Sequence, residues 1–158
     1  MRTGRRLAID VGKVRVGLAI SDFHGILASP LMTIPRDVLS ESLDALISSV
    51  EDFEGILEIY VGLPINMKGQ RTTSTDDAIL VASQIANSTS VPVRLVDERL
   101  TTSLANQQLR SLGKSQKDAR NTIDQMAAVA ILEYAFQIEA NSDAAPGISL
   151  EEWREEND

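Results

Sequence analysis

Residues 6–22 read Arg6-Leu-Ala-Ile-Asp10-Val-Gly12-Lys13-Val-Arg15-Val-Gly17-Leu-Ala-Ile-Ser-Asp22. Two short apolar runs, 6–11 and 15–21, meet across Gly12, Lys13 and Val14, which is the pattern of a β-hairpin. Asp10 interrupts the first run. A carboxylate in a strand that otherwise reads as buried costs several kcal/mol of desolvation unless a cation or a hydrogen-bond donor satisfies it. Gly12 and Gly17 permit a tight turn and close approach of backbone or phosphate, although glycines in hairpins are more often structural.

Outward from this hairpin, 28–34 reads as a third strand, placed at a sheet edge by Pro30. Val38, Leu39, Leu43, Leu46, Ile47 and Val50 recur at helical spacing and predict an amphipathic helix over 38–53, ended by Gly55. A strand over 56–61 leads into a loop, 62–71, whose two glycines and Pro64 suit no helix. A helix over 75–87, a strand over 91–96, a helix started by Thr101 or Thr102 and closed by Gly113, and a last helix over 117–138 complete the order. No internal repeat is visible. Three leading strands followed by strand and helix units describe an α/β layer with helices on both faces, the element order of an RNase H-like fold.

The 158 residues include no cysteine and one histidine, His24, so thiolate sites, disulfides and multi-histidine metal centres are excluded. The basic N-terminus runs into Asp10 before any signal-peptide core can form, and no run is long enough to cross a bilayer. A cytoplasmic protein without membrane contact is expected. The net charge of -8 is concentrated in residues 138–158, which carry seven acids against Arg154 alone. Residues 1–137 sit at -2 and read as a single domain, while 138–158 read as an acidic, solvated appendage in which Trp153 is the exception. Overall acidity is therefore weak evidence against a nucleic-acid partner.

Two further stretches carry acids on elements that could reach Asp10. Val96-Asp97-Glu98-Arg99-Leu100-Thr101-Thr102 places two at the C-terminal end of a strand, the edge where open α/β sheets gather ligands. Side chains alternate there, so only one of Asp97 and Glu98 can face Asp10. In the last helix Asp124 shares a face with Ala127, Ala128, Ile131 and Ala135, whose small side chains let the helix lie close to the sheet. Three carboxylates within about 5 Å would repel by roughly 3 kcal/mol per pair at an effective dielectric of 20. Such a set requires cations. All-oxygen donors suit Mg²⁺ or Mn²⁺, and two such ions can activate water and stabilise a leaving oxygen in phosphodiester hydrolysis. Lys13, Arg15, Lys68, Arg71 and Arg99 lie in the nearest loops as candidate phosphate contacts, and Thr101 and Thr102 open a helix whose N-terminus suits a phosphate. The few aromatic residues point to recognition by shape and backbone.

Together these segments resemble the YqgF family, also called RuvX, described as Holliday junction resolvases and as nucleases for the 5′ end of pre-16S ribosomal RNA. The likeness covers residues 6 to about 137. It rests on Asp10, Gly12, Arg15, Gly17, Ala19 and Asp22; on Val61-Gly62-Leu63-Pro64 with Asn66, Met67 and Gly69; on Asp97 to Thr102 with Ala105; and on Asp124 with Ala127, Ala128, Ile131 and Leu132. The resemblance implies a mixed five-stranded sheet of order 3-2-1-4-5 with strand 2 antiparallel. It also implies a metal-dependent catalytic site on Asp10, Glu98 and Asp124, with Asn66 among the nucleic-acid contacts, and it is what prefers Glu98 to Asp97. Structured RNA ranks ahead of branched DNA as substrate, with a monomer or a homodimer as the acting unit. Two rival readings are a nucleotide-binding module, since the Asp-x-Gly hairpin is also like the phosphate loop of actin-like ATPases, and a non-catalytic scaffold.

Overall fold

The computed structural model describes residues 1–51, 55–98 and 116–157. The hairpin is β1 (Arg5–Val11) and β2 (Arg15–Ser21), antiparallel with Asp10 opposite Gly17. Strand β3 (Ala28–Pro35) lies at the edge, where the missing amide of Pro30 is tolerated. A single 3-10 turn over Arg36–Val38 precedes α1 (Leu39–Glu51), and Gly55, at φ +75°, turns the chain into β4 (Ile56–Leu63). Helix α2 (Thr73–Ser88) starts two residues ahead of the sequence expectation because Thr72 and Thr75 cap it reciprocally. Strand β5 (Val93–Asp97) and helix α3 (Gln116–Ser142) follow, and the expected helix from Thr101 or Thr102 to Gly113 lies outside the described residues.

The sheet has six strands in the order β3-β2-β1-β4-β5-β6, with β4 parallel to β1 and β5 parallel to β4. Five of them keep the expected order, with β2 antiparallel. The sixth corrects the expectation of five: β6 (Ile148–Ser149) pairs antiparallel with Arg94 and Leu95 of β5. The reading of 138–158 as a solvated appendage is corrected with it. Helix α3 runs on to Ser142, Glu139 is buried, and helix α4 (Leu150–Asn157) packs Leu150 and Trp153 into the core. Burying one indole offsets much of the cost of ordering a short segment, even one rich in surface acids.

Alternation along the strands sorts the core into two layers. Leu7, Ile9, Ile59, Val61 and Leu95 pack against α1, α2 and α4 on one face. Ala8, Ala19, Tyr60 and Val96 meet Ala128, Val129, Ile131, Leu132 and Ala135 of α3 on the other. The small strand residues on this second face let α3 lie low across β1 to β4. No helix among the described residues is long and apolar enough to cross a membrane.

Candidate active site

Asp10 follows Ala8 on the face of β1 that meets α3, and its register partner on β2 is Gly17. A Cβ at Gly17 would collide with the carbonyl of Asp124 and stand 2.8 Å from the Asp124 Cβ. A bare backbone at this one position therefore seats α3 directly on the hairpin at Asp124, more than two turns into the helix and beside Asp10. Gly62 does the same on the other flank. It lies in register with Val96, and a Cβ there would collide with Glu98 Oε2 and with Ile131. Glu98, one residue past β5, donates its backbone N–H to Leu63 O at 3.3 Å, and its side chain lies over Gly62 and shares a hydrogen bond with Asp10.

The choice between Asp97 and Glu98 is settled by the strand itself. Val96 belongs to the α3 layer and Leu95 to the opposite one, so Glu98 follows Val96 toward Asp10. Asp97 instead lines a cavity of about 420 Å³ with Leu63, Arg71, Leu95 and Trp153. Asp22 is not part of the site: its Oδ1 accepts the amides of Ile26 (2.7 Å) and Leu27 (2.9 Å) in the β2–β3 turn, and these bonds lower its pKa.

Burial pushes the Glu98 carboxyl up to about 8, helped by the charge of Asp10 and the hydrogen bond between them. Burial likewise raises Asp10 to about 6, with the charge of Asp124 adding to the effect and the Glu98 hydrogen bond opposing it. Glu98, the more strongly raised of the pair, is the carboxyl that keeps its proton longer as pH rises. Asp124 is answered differently, by Arg15 Nε at 2.8 Å from its Oδ2. The donor chemistry fits a hard divalent ion: three carboxylates on adjoining elements, two in contact and both held toward their neutral forms by desolvation and by the charge of neighbouring acids. Among the described residues no three acidic or imidazole side chains stand close enough to hold an ion as they are placed, because Asp124 is turned onto Arg15 and away from Asp10 and Glu98.

The other candidates divide. Lys13 is exposed in the β1–β2 turn and Lys68 in the β4–α2 loop, both at the edge that carries the acids. Asn66 is spent within its own loop, its Oδ1 accepting the amides of Lys68 (3.0 Å) and Gln70 (2.9 Å) and its Nδ2 donating to Gln70 Oε1 at 3.1 Å. Arg71 pairs with Asp76 and stacks on Trp153, 5.9 Å from the ring centroid, on the face away from Asp10. Arg99, Thr101 and Thr102 lie outside the described residues. Sequence reasoning missed Arg36, which forks onto Asp77 with two 2.8 Å bonds and reaches the carbonyls of Gly12 and Lys13, tying the glycine turn to α2. It also missed Gln125, whose Nε2 donates to Thr33 Oγ1 at 3.0 Å. Nothing in the local pattern of either residue signals these long-range bonds.

A mixed sheet with a long helix across one face and acids at the tips of its strands defines an RNase H-like nuclease fold. The structure titled "T. thermophilus RuvC in complex with Holliday junction substrate" is similar with a TM-score of 0.51 over 90% of this chain and 98% of that one, at 18% identity. The family model RuvX, described as Holliday junction resolvase, matches residues 4–138, and the chain belongs to that family of nucleases. Relatives named "Putative pre-16S rRNA nuclease" include one from Clavibacter michiganensis, 46% identical over 93% of this chain and 91% of that protein. Another from Streptomyces avermitilis is 43% identical over 96% and 97%, and one from Mycolicibacterium paratuberculosis 47% identical over 82% and 78%.

Proposed function

We propose that this chain is a divalent-metal-dependent nuclease that hydrolyses phosphodiester bonds in structured RNA and processes the 5′ end of precursor 16S ribosomal RNA in the cytoplasm. One observation carries the chemistry: two half-buried carboxyls, Asp10 and Glu98, are hydrogen-bonded to each other at the strand tips while a third, Asp124, stands on the adjoining helix. Nothing in packing requires three acids there. Asp10, Glu98 and Asp124 would hold Mg²⁺ or Mn²⁺, which when bound lowers the pKa of a water and offsets charge on the leaving oxygen. The backbone positions of Asp10 and Glu98 are fixed by the sheet and that of Asp124 by the seating of α3 on Gly17, so that only the Asp124 side chain has to turn from Arg15 to complete an oxygen cluster. Lys13 and Lys68 flank this edge as solvated cations able to take neighbouring phosphates.

The substrate reading follows the names of relatives that align with nearly the whole chain. The family's description as a Holliday junction resolvase supports a second reading, branched DNA cut by a twofold dimer. Incubating the protein with a 5′-extended 16S precursor RNA and with a four-way DNA junction, each with Mn²⁺, separates them. The first reading predicts a trimmed or cut RNA and an intact junction. Symmetrical junction cutting with the RNA untouched would transfer the assignment to the second.

A further inference from the structure

We propose that Arg15 is an exchangeable counter-cation, bound to Asp124 when the acidic site is unloaded and released to a substrate phosphate when it is loaded. The inference rests on the reading that Asp10, Glu98 and Asp124 take a divalent ion. Three observations lead to it. Arg15 opens β2 at the foot of the glycine turn and pairs with Asp124 through Nε, so it occupies the carboxylate that would complete the oxygen cluster. Its side chain remains one-third exposed, whereas the fully paired Arg6 of the neighbouring strand is 1% exposed and bound to three acceptors. Finally, the same Arg15 side chain lines an open groove of about 480 Å³ with Met32, Thr33, Pro35 and Gln125, beginning beside Asp124 and running along the edge strand β3.

A guanidinium between a carboxylate and an open groove has two acceptors to choose from, and Arg is suited to carboxylate and phosphate alike. While Asp124 is held by Arg15 its charge is answered, and a cation entering the site must compete for it. Once Asp124 turns to a cation, Arg15 loses its partner at the mouth of a groove where a nucleic-acid backbone can lie. Loading of the acids and affinity for phosphate are then coupled, and thermodynamic linkage requires each to favour the other. This sets Arg15 apart from Lys13 and Lys68, which contact phosphate without competing for a site acid.

The test uses the full chain and two readouts: calorimetric titration with MnCl₂ in the absence of nucleic acid, and the KM for precursor RNA at saturating Mn²⁺. Arg15→Gln is expected to tighten Mn²⁺ roughly three- to fivefold and raise KM roughly three- to fivefold, changes of opposite sense from the loss of one partly exposed ion pair. Arg15→Lys keeps a cation at the position and should stay near wild type in the Mn²⁺ titration, which guards against a folding defect in the neutral variant. Unchanged or weaker Mn²⁺ binding in Arg15→Gln overturns the exchange. A wild-type Mn²⁺ isotherm unaltered by Asp124→Asn overturns instead the metal-site reading beneath it.

Discussion

Helix α3 carries an acid near each end of its packed face, and the two ends treat that acid in opposite ways. Glu139 lies about 22 Å along the helix from Asp124, fifteen residues at 1.5 Å each. There, Glu139 and Glu58 are buried beside the buried Arg6 and beneath the exposed Arg2: Arg6 reaches Glu139 at 2.8 Å, Arg2 bonds both acids, and Tyr60 Oη donates to Glu58 at 3.0 Å. Two cations answer two carboxylates, and the bonds from Arg2 hold Glu139 below the usual carboxylate range against the opposing effect of burial. At the Asp124 end Arg15 pairs with Asp124, while desolvation, with the charge of neighbouring acids added to it, raises Asp10 and Glu98. Burial of an acid is thus no mark of function by itself. What distinguishes the two ends is the company each acid keeps: Glu139 meets guanidinium groups, whereas Asp10 and Glu98 meet each other.

The paired end should be the costly one to break. Truncation after Ile138 removes Glu139, β6 and Trp153 together, and the truncated protein is expected to lose cooperative unfolding in a urea titration; retention of the full-length midpoint would show that the C-terminal segment holds nothing. Glu139→Ala alone strands the buried Arg6 and should cost about 3–5 kcal/mol, read as a fall in the urea midpoint. The unbalanced end should respond with the opposite sign. In EDTA at pH 8, Glu98→Gln should stabilise the protein by about 1–2 kcal/mol, a discounted share of its large pKa displacement because the group is coupled to Asp10 and only partly buried.

The two ends should also differ in pH response. Asp10 and Glu98 have folded values above their unfolded ones, so the stability they contribute is complete below about pH 4 and is lost as pH rises through about 6 and about 8. Glu139 is displaced downward, so its contribution is present above its ordinary value and lost as pH falls through the lowered one. Thermal melts in EDTA between pH 5 and 9 should therefore decline toward high pH in the wild type and lose most of that decline in Glu98→Gln. The smallest effects belong to the exposed lysines: Lys13→Ala and Lys68→Ala should each reduce the salt dependence of RNA binding by about one unit of slope without altering stability.

The hairpin and the face of α3 were legible because each rests on a pattern within one element: short apolar runs for β1 and β2, and three-four spacing for Asp124, Ala127, Ala128, Ile131 and Ala135; the strand order came only with the family resemblance. Gly17 was visible as a glycine, but the reason for it, the backbone of Asp124 lying against it, exists only once α3 is placed. Asp97 and Glu98 could not be separated locally, since alternation gives a parity and the phase comes from Leu95 and Val96 in the packed sheet. Arg71 was singled out by loop position and Asn66 by the family resemblance, neither of which foretells the bonds they make to Asp76, Trp153 and Gln70. The C-terminal segment misled for another reason. A two-residue strand has no period to read, and one buried Trp among surface acids barely shifts composition.

The claim that the unbalanced acids exist to hold a divalent cation for phosphodiester hydrolysis is tested most directly by the single-turnover cleavage rate of precursor 16S RNA against Mn²⁺ concentration, for wild type and Asp10→Asn. The account predicts a saturable, Mn²⁺-dependent rate in the wild type and a loss of at least about a thousandfold in Asp10→Asn with folding retained, in line with the removal of an essential electrostatic group. Equal rates in the two proteins, or a wild-type rate indifferent to Mn²⁺ and EDTA, would contradict it.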